Sequence, residues 1–167
     1  ALHQHRTVSM NREFFETIKI IDGVAQNLIY HQKRFDSVLR YFGSVCGYDL
    51  TALINPTKSS LLRCRIVYEV LDSGECLFDV SYFDYKKRVI ECVKLLCDDD
   101  VEYGLKSTNR EALDLLFAQK DKCDDVLVVK NGFVTDTTIA NIAFYDGLRW
   151  VTPSKPLLKG TTRERLL

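Results

Sequence analysis

The sequence lacks an excess of either charge: Lys and Arg number 23, Asp and Glu number 23, and the formal net charge is zero. It therefore lacks the electrostatic footprint of a general nucleic-acid or membrane-surface binder. No apolar run approaches the roughly 20 residues that span a bilayer. The opening Ala1-Leu2-His3-Gln4-His5-Arg6 has no apolar stretch of the kind found in a secretory signal. A cytoplasmic location, with no nucleic-acid or membrane partner, is the resulting expectation. Cysteine is present but unpatterned. Cys46, Cys64, Cys76, Cys92, Cys97 and Cys123 include no Cys-x-x-Cys pair and no histidine at metal-ligand spacing, so no metal centre is expected. Most of them read as small hydrophobes buried in a reducing compartment. Internal repeats and low-complexity segments are also missing. What is present is a chain of 167 residues, enough for one sizeable core or for two small lobes sharing a cleft.

Phe14 to Ile21 is rich in aromatic and β-branched residues and reads as a strand. Asp22-Gly23 is a hairpin signal, with Val24 to Tyr30 as the returning strand. Phe35, Val38, Leu39 and Phe42 form one apolar stripe, which predicts a helix over 31–42 ended by Gly43. Asn55-Pro56 marks a break. From Leu61 to Leu71 the pattern alternates, with Cys64, Ile66, Tyr68 and Val70 on one strand face. Asp72-Ser73-Gly74 then turns the chain into a strand over 76–85, whereas 86–96 fits either a strand or a short helix. Further on, 109–120 has a helical pattern, 126–130, 133–136, 139–144 and 150–152 read as short strands, and a last helix is expected from Thr161. The class is mixed α/β (α+β), with antiparallel hairpins in the first part. Cys97-Asp98-Asp99-Asp100 suits a solvated crossing, or an ordinary acidic loop. A boundary there gives an N-terminal small α/β lobe over 1–97 and a C-terminal lobe over 98–167.

Three short segments carry the chemistry. Lys106 sits in Leu105-Lys106-Ser107-Thr108-Asn109-Arg110, ahead of the helical pattern. Asp136 follows a strand in Val134-Thr135-Asp136-Thr137-Thr138. Gly160-Thr161-Thr162 opens the last helix. An amine, a carboxylate and a glycine-led helix start, in that order, suit a pyridoxal 5'-phosphate (PLP) site. The aldehyde takes a lysine, the ring nitrogen takes an acid, and the phosphate takes backbone N–H groups. Arg34, in His31-Gln32-Lys33-Arg34, offers the fork geometry that recognises phosphate. Each residue alone has an ordinary reading: a solvated lysine, a turn aspartate, a capping threonine, a basic helix face. Their joint order separates them from those readings. The C-terminal lobe is accordingly the cofactor-binding one.

The chain resembles the class IV aminotransferases, the fold-type IV PLP enzymes. These include branched-chain and D-amino acid aminotransferases and 4-amino-4-deoxychorismate lyases. Phe14-Phe15-Glu16-Thr17 with Asp22-Gly23 is similar to the family's opening hairpin, and His31-Gln32-Lys33-Arg34 to its His-x-x-Arg segment. Asp125 to Asn141 is similar to the segment that carries the ring-nitrogen acid, and Leu158 to Arg163 to its phosphate turn. The resemblance implies two α/β lobes with PLP between them, usually in a homodimer. It also implies roles: Lys106 as the Schiff-base and catalytic lysine, Arg34, Gly160, Thr161 and Thr162 around the phosphate, Asp136 at the ring nitrogen and Leu158 packed on the ring. Three departures stand out. Asp136 replaces the usual Glu, Asn11-Arg12-Glu13 replaces the usual Gly-Asp-Gly, and relatives generally continue beyond the position of Leu167. Either a compact variant or a further C-terminal segment is expected.

The substrate is expected to be a small amino compound. Lys106-Ser107-Thr108-Asn109-Arg110 and the Ile139-Ala140-Asn141 ending are similar to lyase members, which release pyruvate from aminodeoxychorismate to give 4-aminobenzoate in folate biosynthesis. The alternative is an aminotransferase acting on a D-amino acid or a branched-chain amino acid. A further alternative is a catalytically inactive relative that binds a ligand. Phe15 and Arg110 are the candidate substrate-side residues, and Arg110 also reads as a solvated helix-start residue.

Overall fold

The computed structural model describes residues 11–58 and 60–167. The opening residues, read above for a missing signal, lie outside the described residues. The first half forms a four-stranded sheet in the order β2-β1-β3-β4, built from β1 (Glu13–Ile21), β2 (Val24–Ala25), β3 (Leu62–Val70) and β4 (Cys76–Asp84). Every pairing in it is antiparallel. The β1–β2 turn places Asp22 at φ 48° and Gly23 at φ 81°. Two consecutive left-handed residues form the kind of tight turn whose twist matches the strands. Helix α1 (Leu28–Tyr41) packs on this sheet.

The returning strand is shorter than expected and the helix starts earlier. Asn27 adopts φ 56°, which ends the extended run after Ala25 and lets Leu28 begin the helix. The predicted apolar stripe is right in kind: Phe35, Val38 and Leu39 are buried, and Phe42 packs on the same cluster. Leu62, Cys64, Ile66, Tyr68 and Val70 supply the facing sheet surface, as alternation along a half-buried strand requires.

The second half is built on a three-stranded sheet, β5 (Val93–Cys97), β6 (Asp125–Lys130) and β7 (Phe133–Thr137), with β5 parallel and β7 antiparallel to β6. The division at 97/98 grouped Val93–Cys97 with the first lobe, whereas β5 hydrogen-bonds into the second sheet. The stretch before it, 86–92, is neither strand nor helix. Helix α2 (Glu111–Phe117) buries Leu113 and Leu116 with Val126 and Val128. The expected strand over 139–144 reduces to a bridge between Asp136 and Asn141 and the start of the two-residue β8 (Phe144–Tyr145), which pairs with β9 (Trp150–Val151). Helix α3 (Thr161–Leu166) contacts α1, and Lys33 meets Glu164 at 3.7 Å.

The cysteines depart from expectation. Cys64 is fully buried, Cys46 and Cys76 are partly so, and Cys97 is exposed. Cys92 and Cys123 form a disulfide across the start of β5 and the turn before β6. Among the described residues no cluster suited to a metal ion occurs, and no helix is long and apolar enough to cross a membrane.

Candidate active site

β2 pairs only with the last two residues of β1. The other edge of β1 is covered by β3 over Glu13 to Ile20. The first half of β1 therefore keeps an open edge on the β2 side, and the segment carrying Lys106 fills it. Phe15 N–H donates to the Lys106 carbonyl at 3.0 Å, Phe14 bridges Ser107, and Thr108 N–H donates to the Glu13 carbonyl at 3.0 Å. Thr108 Oγ1 also donates to Glu13 Oε1 at 2.7 Å. A lysine of the second half is thus fixed by the backbone of the first.

The Lys106 ammonium lies 4.6 Å from the centre of the Phe15 ring, and the Arg65 guanidinium 4.8 Å from the same ring. Burial, reinforced by the positive charges of Arg34, Arg110 and Arg65, lowers the pKa of Lys106 to about 8, while Glu16 opposes the shift. A lysine so shifted is partly neutral near physiological pH and can act as a nucleophile or base.

Lys106 opens into a cavity of about 750 Å³. That cavity is also lined by Arg34, Arg110, Asp136, Leu158, Gly160, Thr161 and Thr162, so the structure brings together nearly all the residues predicted from sequence. Phe15 does not line it, and reaches it only through its contact with Lys106. Asp136, buried at the end of β7, ties two segments. Its Oδ1 accepts from Asn141 Nδ2 at 2.7 Å and its Oδ2 from Leu158 N–H at 2.9 Å. Burial raises its pKa, against the hydrogen bonds from Leu158 and Asn141 and the positive charge of Arg163. Asn141 continues the tie: its Oδ1 accepts from Gly160 N–H at 2.9 Å and its Nδ2 donates to the Leu158 carbonyl at 2.8 Å. A Cβ at position 160 would lie 2.2 Å from Asn141 Oδ1, so only glycine permits this approach.

Arg110 is pinned by Nη2 donation to the Thr138 carbonyl at 2.6 Å and Nη1 donation to Tyr103 Oη at 3.2 Å. It is a tethered wall of the cavity rather than a solvated helix-start residue. Arg34 is likewise no member of a solvated basic face. Its Nε and Nη2 donate to Glu16 Oε1 and Oε2 at 2.8 and 2.5 Å, and His31 Nδ1 donates to Glu16 Oε2 at 2.6 Å.

The sequence reading missed Glu16, His31, Tyr103, Asn141 and Arg163 as parts of this site. Glu16 had a visible signal, since it shares the β1 face of Phe14, Ile18 and Ile20, where a lone carboxylate needs a partner. Arg163 donates Nη2 to the Pro153 carbonyl at 3.1 Å, while its Nε is buried without a partner among the described residues.

A PLP molecule fits these residues on three counts. The amine is shifted toward its neutral form, a glycine-led turn lines the same cavity, and the guanidinium-bearing Arg34 lines it too.

Comparison with known proteins agrees. The family model described as amino-transferase class IV matches residues 78–167. An uncharacterized protein of Haemophilus influenzae is 40% identical over 159 residues, covering 92% of this chain and 82% of that protein. A "putative aminodeoxychorismate lyase" of Schizosaccharomyces pombe is 46% identical over 69 residues, covering 37% of this chain and 30% of that protein. Among solved structures, a "putative 4-amino-4-deoxychorismate lyase" from Haemophilus somnus superposes with a TM-score of 0.79 at 35% identity, covering 92% of this chain and 81% of the other. A hypothetical aminotransferase from Mycobacterium tuberculosis in a PLP-bound form shares the fold at 17% identity, with a TM-score of 0.73 over 95% of this chain and 67% of the other. With its α/β architecture and the cavity at Lys106, the chain belongs to the class IV aminotransferase family, the fold-type IV PLP enzymes.

Proposed function

We propose that the protein is a PLP-dependent enzyme of the 4-amino-4-deoxychorismate lyase type, forming 4-aminobenzoate and pyruvate. The observation that supports the PLP-dependent part of this reading is the buried amine of Lys106, its pKa lowered to about 8, lining the same cavity as Asp136 and Gly160-Thr161-Thr162. Lys106 would hold the cofactor, with Arg34 and the free N–H groups of Thr161 and Thr162 at its phosphate and Leu158 against its ring. When bound, PLP supplies an electron sink for the pair released at the substrate α-carbon.

The chain's own residues do the rest. Lys106 Nζ is the group placed to take the substrate α-proton; its lowered pKa leaves it partly unprotonated for that task. Asp136 is the carboxylate that would face the ring nitrogen, where its ionised form would favour a protonated ring; the positive charge of Arg163 favours that form against burial. The Arg110 guanidinium, braced by Tyr103 and Thr138, offers N–H groups to a substrate carboxylate. The lyase direction draws support from the names of the Haemophilus somnus and Schizosaccharomyces pombe relatives and from Asn109-Arg110 after Lys106.

The second reading, an aminotransferase, draws on the family model. Incubation of the PLP-loaded protein with aminodeoxychorismate should yield 4-aminobenzoate and pyruvate. Release of a 2-oxo acid from D-alanine, L-glutamate or a branched-chain amino acid, with no aminobenzoate formed, would replace the lyase by the aminotransferase.

A further inference from the structure

We infer that Glu16 is a positioning residue, fully buried behind the cavity wall, which clamps Arg34 so that the remaining guanidinium N–H groups present a fixed anion-binding edge. The inference rests on the reading of the cavity as a PLP site and deepens it.

Glu16 is fully buried on the β1 face that otherwise carries Phe14, Ile18 and Ile20. An aliphatic residue would satisfy that face. A buried ion pair is often no more stabilising than well-packed apolar side chains of the same volume, so stability alone does not call for a carboxylate here. What the carboxylate does is geometric. It takes Arg34 Nε on one oxygen and Nη2 on the other, the two-point grip that fixes a guanidinium plane. His31, one turn earlier on α1, donates to Oε2 and holds the carboxylate in place from a second direction. A guanidinium has five N–H donors. Two of them are directed at Glu16, and those on Nη1 are not. Arg34 lines the cavity while Glu16 does not, so the ion pair runs from the core to the cavity wall. An arginine held in this way loses little further freedom when an anion arrives, which is how preorganisation raises affinity. Without Glu16, the long side chain of Arg34 would have to be ordered by the ligand itself.

The test compares two ligands that differ only in the phosphate. The full chain, as wild type and as Glu16→Gln, is titrated with PLP and with pyridoxal. Glu16→Gln should weaken PLP by about ten-fold or more, the worth of a charge-assisted contact, and leave pyridoxal within about two-fold. In an Arg34→Ala background, Glu16→Gln should leave the PLP-to-pyridoxal ratio unmoved. An unchanged ratio in Glu16→Gln alone, or an equal loss for both ligands, would overturn the positioning role while leaving PLP attachment at Lys106 intact. A wild-type chain that does not distinguish PLP from pyridoxal would overturn the PLP reading, and this inference with it. Should Glu16→Gln fail to fold, nitrogen-15 spectra of the wild type decide. Resolved, slowly rotating Arg34 Nη signals that shift with inorganic phosphate support the clamp; averaged signals indifferent to phosphate overturn it.

Discussion

Glu16 and Asp136 are both buried carboxylates at this cavity, one behind its wall and one lining it, but their partners differ. Glu16 accepts from Arg34 and His31, whereas Asp136 accepts from a side-chain amide and a backbone N–H. Burial pushes both pKa values up. At Glu16 the hydrogen bonds from His31 and Arg34 and the charge of Arg34 outweigh it, so the net shift is downward. At Asp136 neutral donors and a more distant arginine do not, so the net shift is upward. A full cation in contact favours the ionised form of a buried carboxylate more strongly than neutral donors do. One carboxylate is built into a clamp with Arg34, and the other lines the cavity.

The largest expected effect breaks this contrast directly. Glu16→Gln should cost about 3–5 kcal/mol of stability at pH 7, because it leaves Arg34 buried without its counter-charge. Asp136→Asn should cost less, about 1–3 kcal/mol, the worth of disturbed hydrogen bonds. The two gaps should also respond to pH with opposite sign. Glu16 has a lowered folded pKa, so its contribution is present above the unfolded value of ~4.3 and is lost as pH falls through the folded one. Its gap to wild type narrows on acidification. Asp136 has a raised folded pKa, so its contribution is fully present below the unfolded value of ~3.9 and is lost as pH rises through the folded one. Its gap widens on acidification. Urea denaturation at several pH values measures both, and parallel trends would refute the contrast.

Next in size, Arg34→Ala should weaken PLP retention by about 1.5–3 kcal/mol, read by dialysis and re-titration; unchanged retention would make Arg34 a structural residue only. Gly160→Ala sets a Cβ against Asn141 Oδ1 and should destabilise the chain by about 1–3 kcal/mol. Asn141→Ala relieves that clash, so the double variant should lose less than the sum of the singles, and additivity would deny the close approach. The smallest effect lies at Lys106. Arg34 lowers its pKa and Glu16 raises it, so Arg34→Gln should move the pKa above about 8 and Glu16→Gln below it. The pH dependence of reductive methylation at Lys106 reports the sign.

Much of this was legible in the chain. Lys106, Asp136 and Gly160 are marked by their joint order rather than singly, and the structure places all three at one cavity. Asp22-Gly23 announced its turn because two left-handed residues in a row favour those types. Other features depend on partners distant in sequence. The Glu16 clamp joins a strand to a helix across |i−j| values of 15 and 18, and no local pattern records the pairing. The Cys92–Cys123 bond spans 31 residues and depends on the parallel pairing of β5 with β6. The start of α1 was misplaced because Leu28, Ile29 and Tyr30 are apolar enough to extend a strand, and only the backbone of Asn27 shows where the strand stops. The 139–144 segment failed as a full strand because Asn141, beyond its single bridge to Asp136, commits its side chain to Asp136 and Gly160.

The central claim is that the ε-amine at position 106 is the point of cofactor attachment. Incubation with PLP, hydride reduction and peptide mass spectrometry should place a single phosphopyridoxyl group on Lys106, absent from Lys106→Ala. A modification found on another lysine, or on none, would contradict the account.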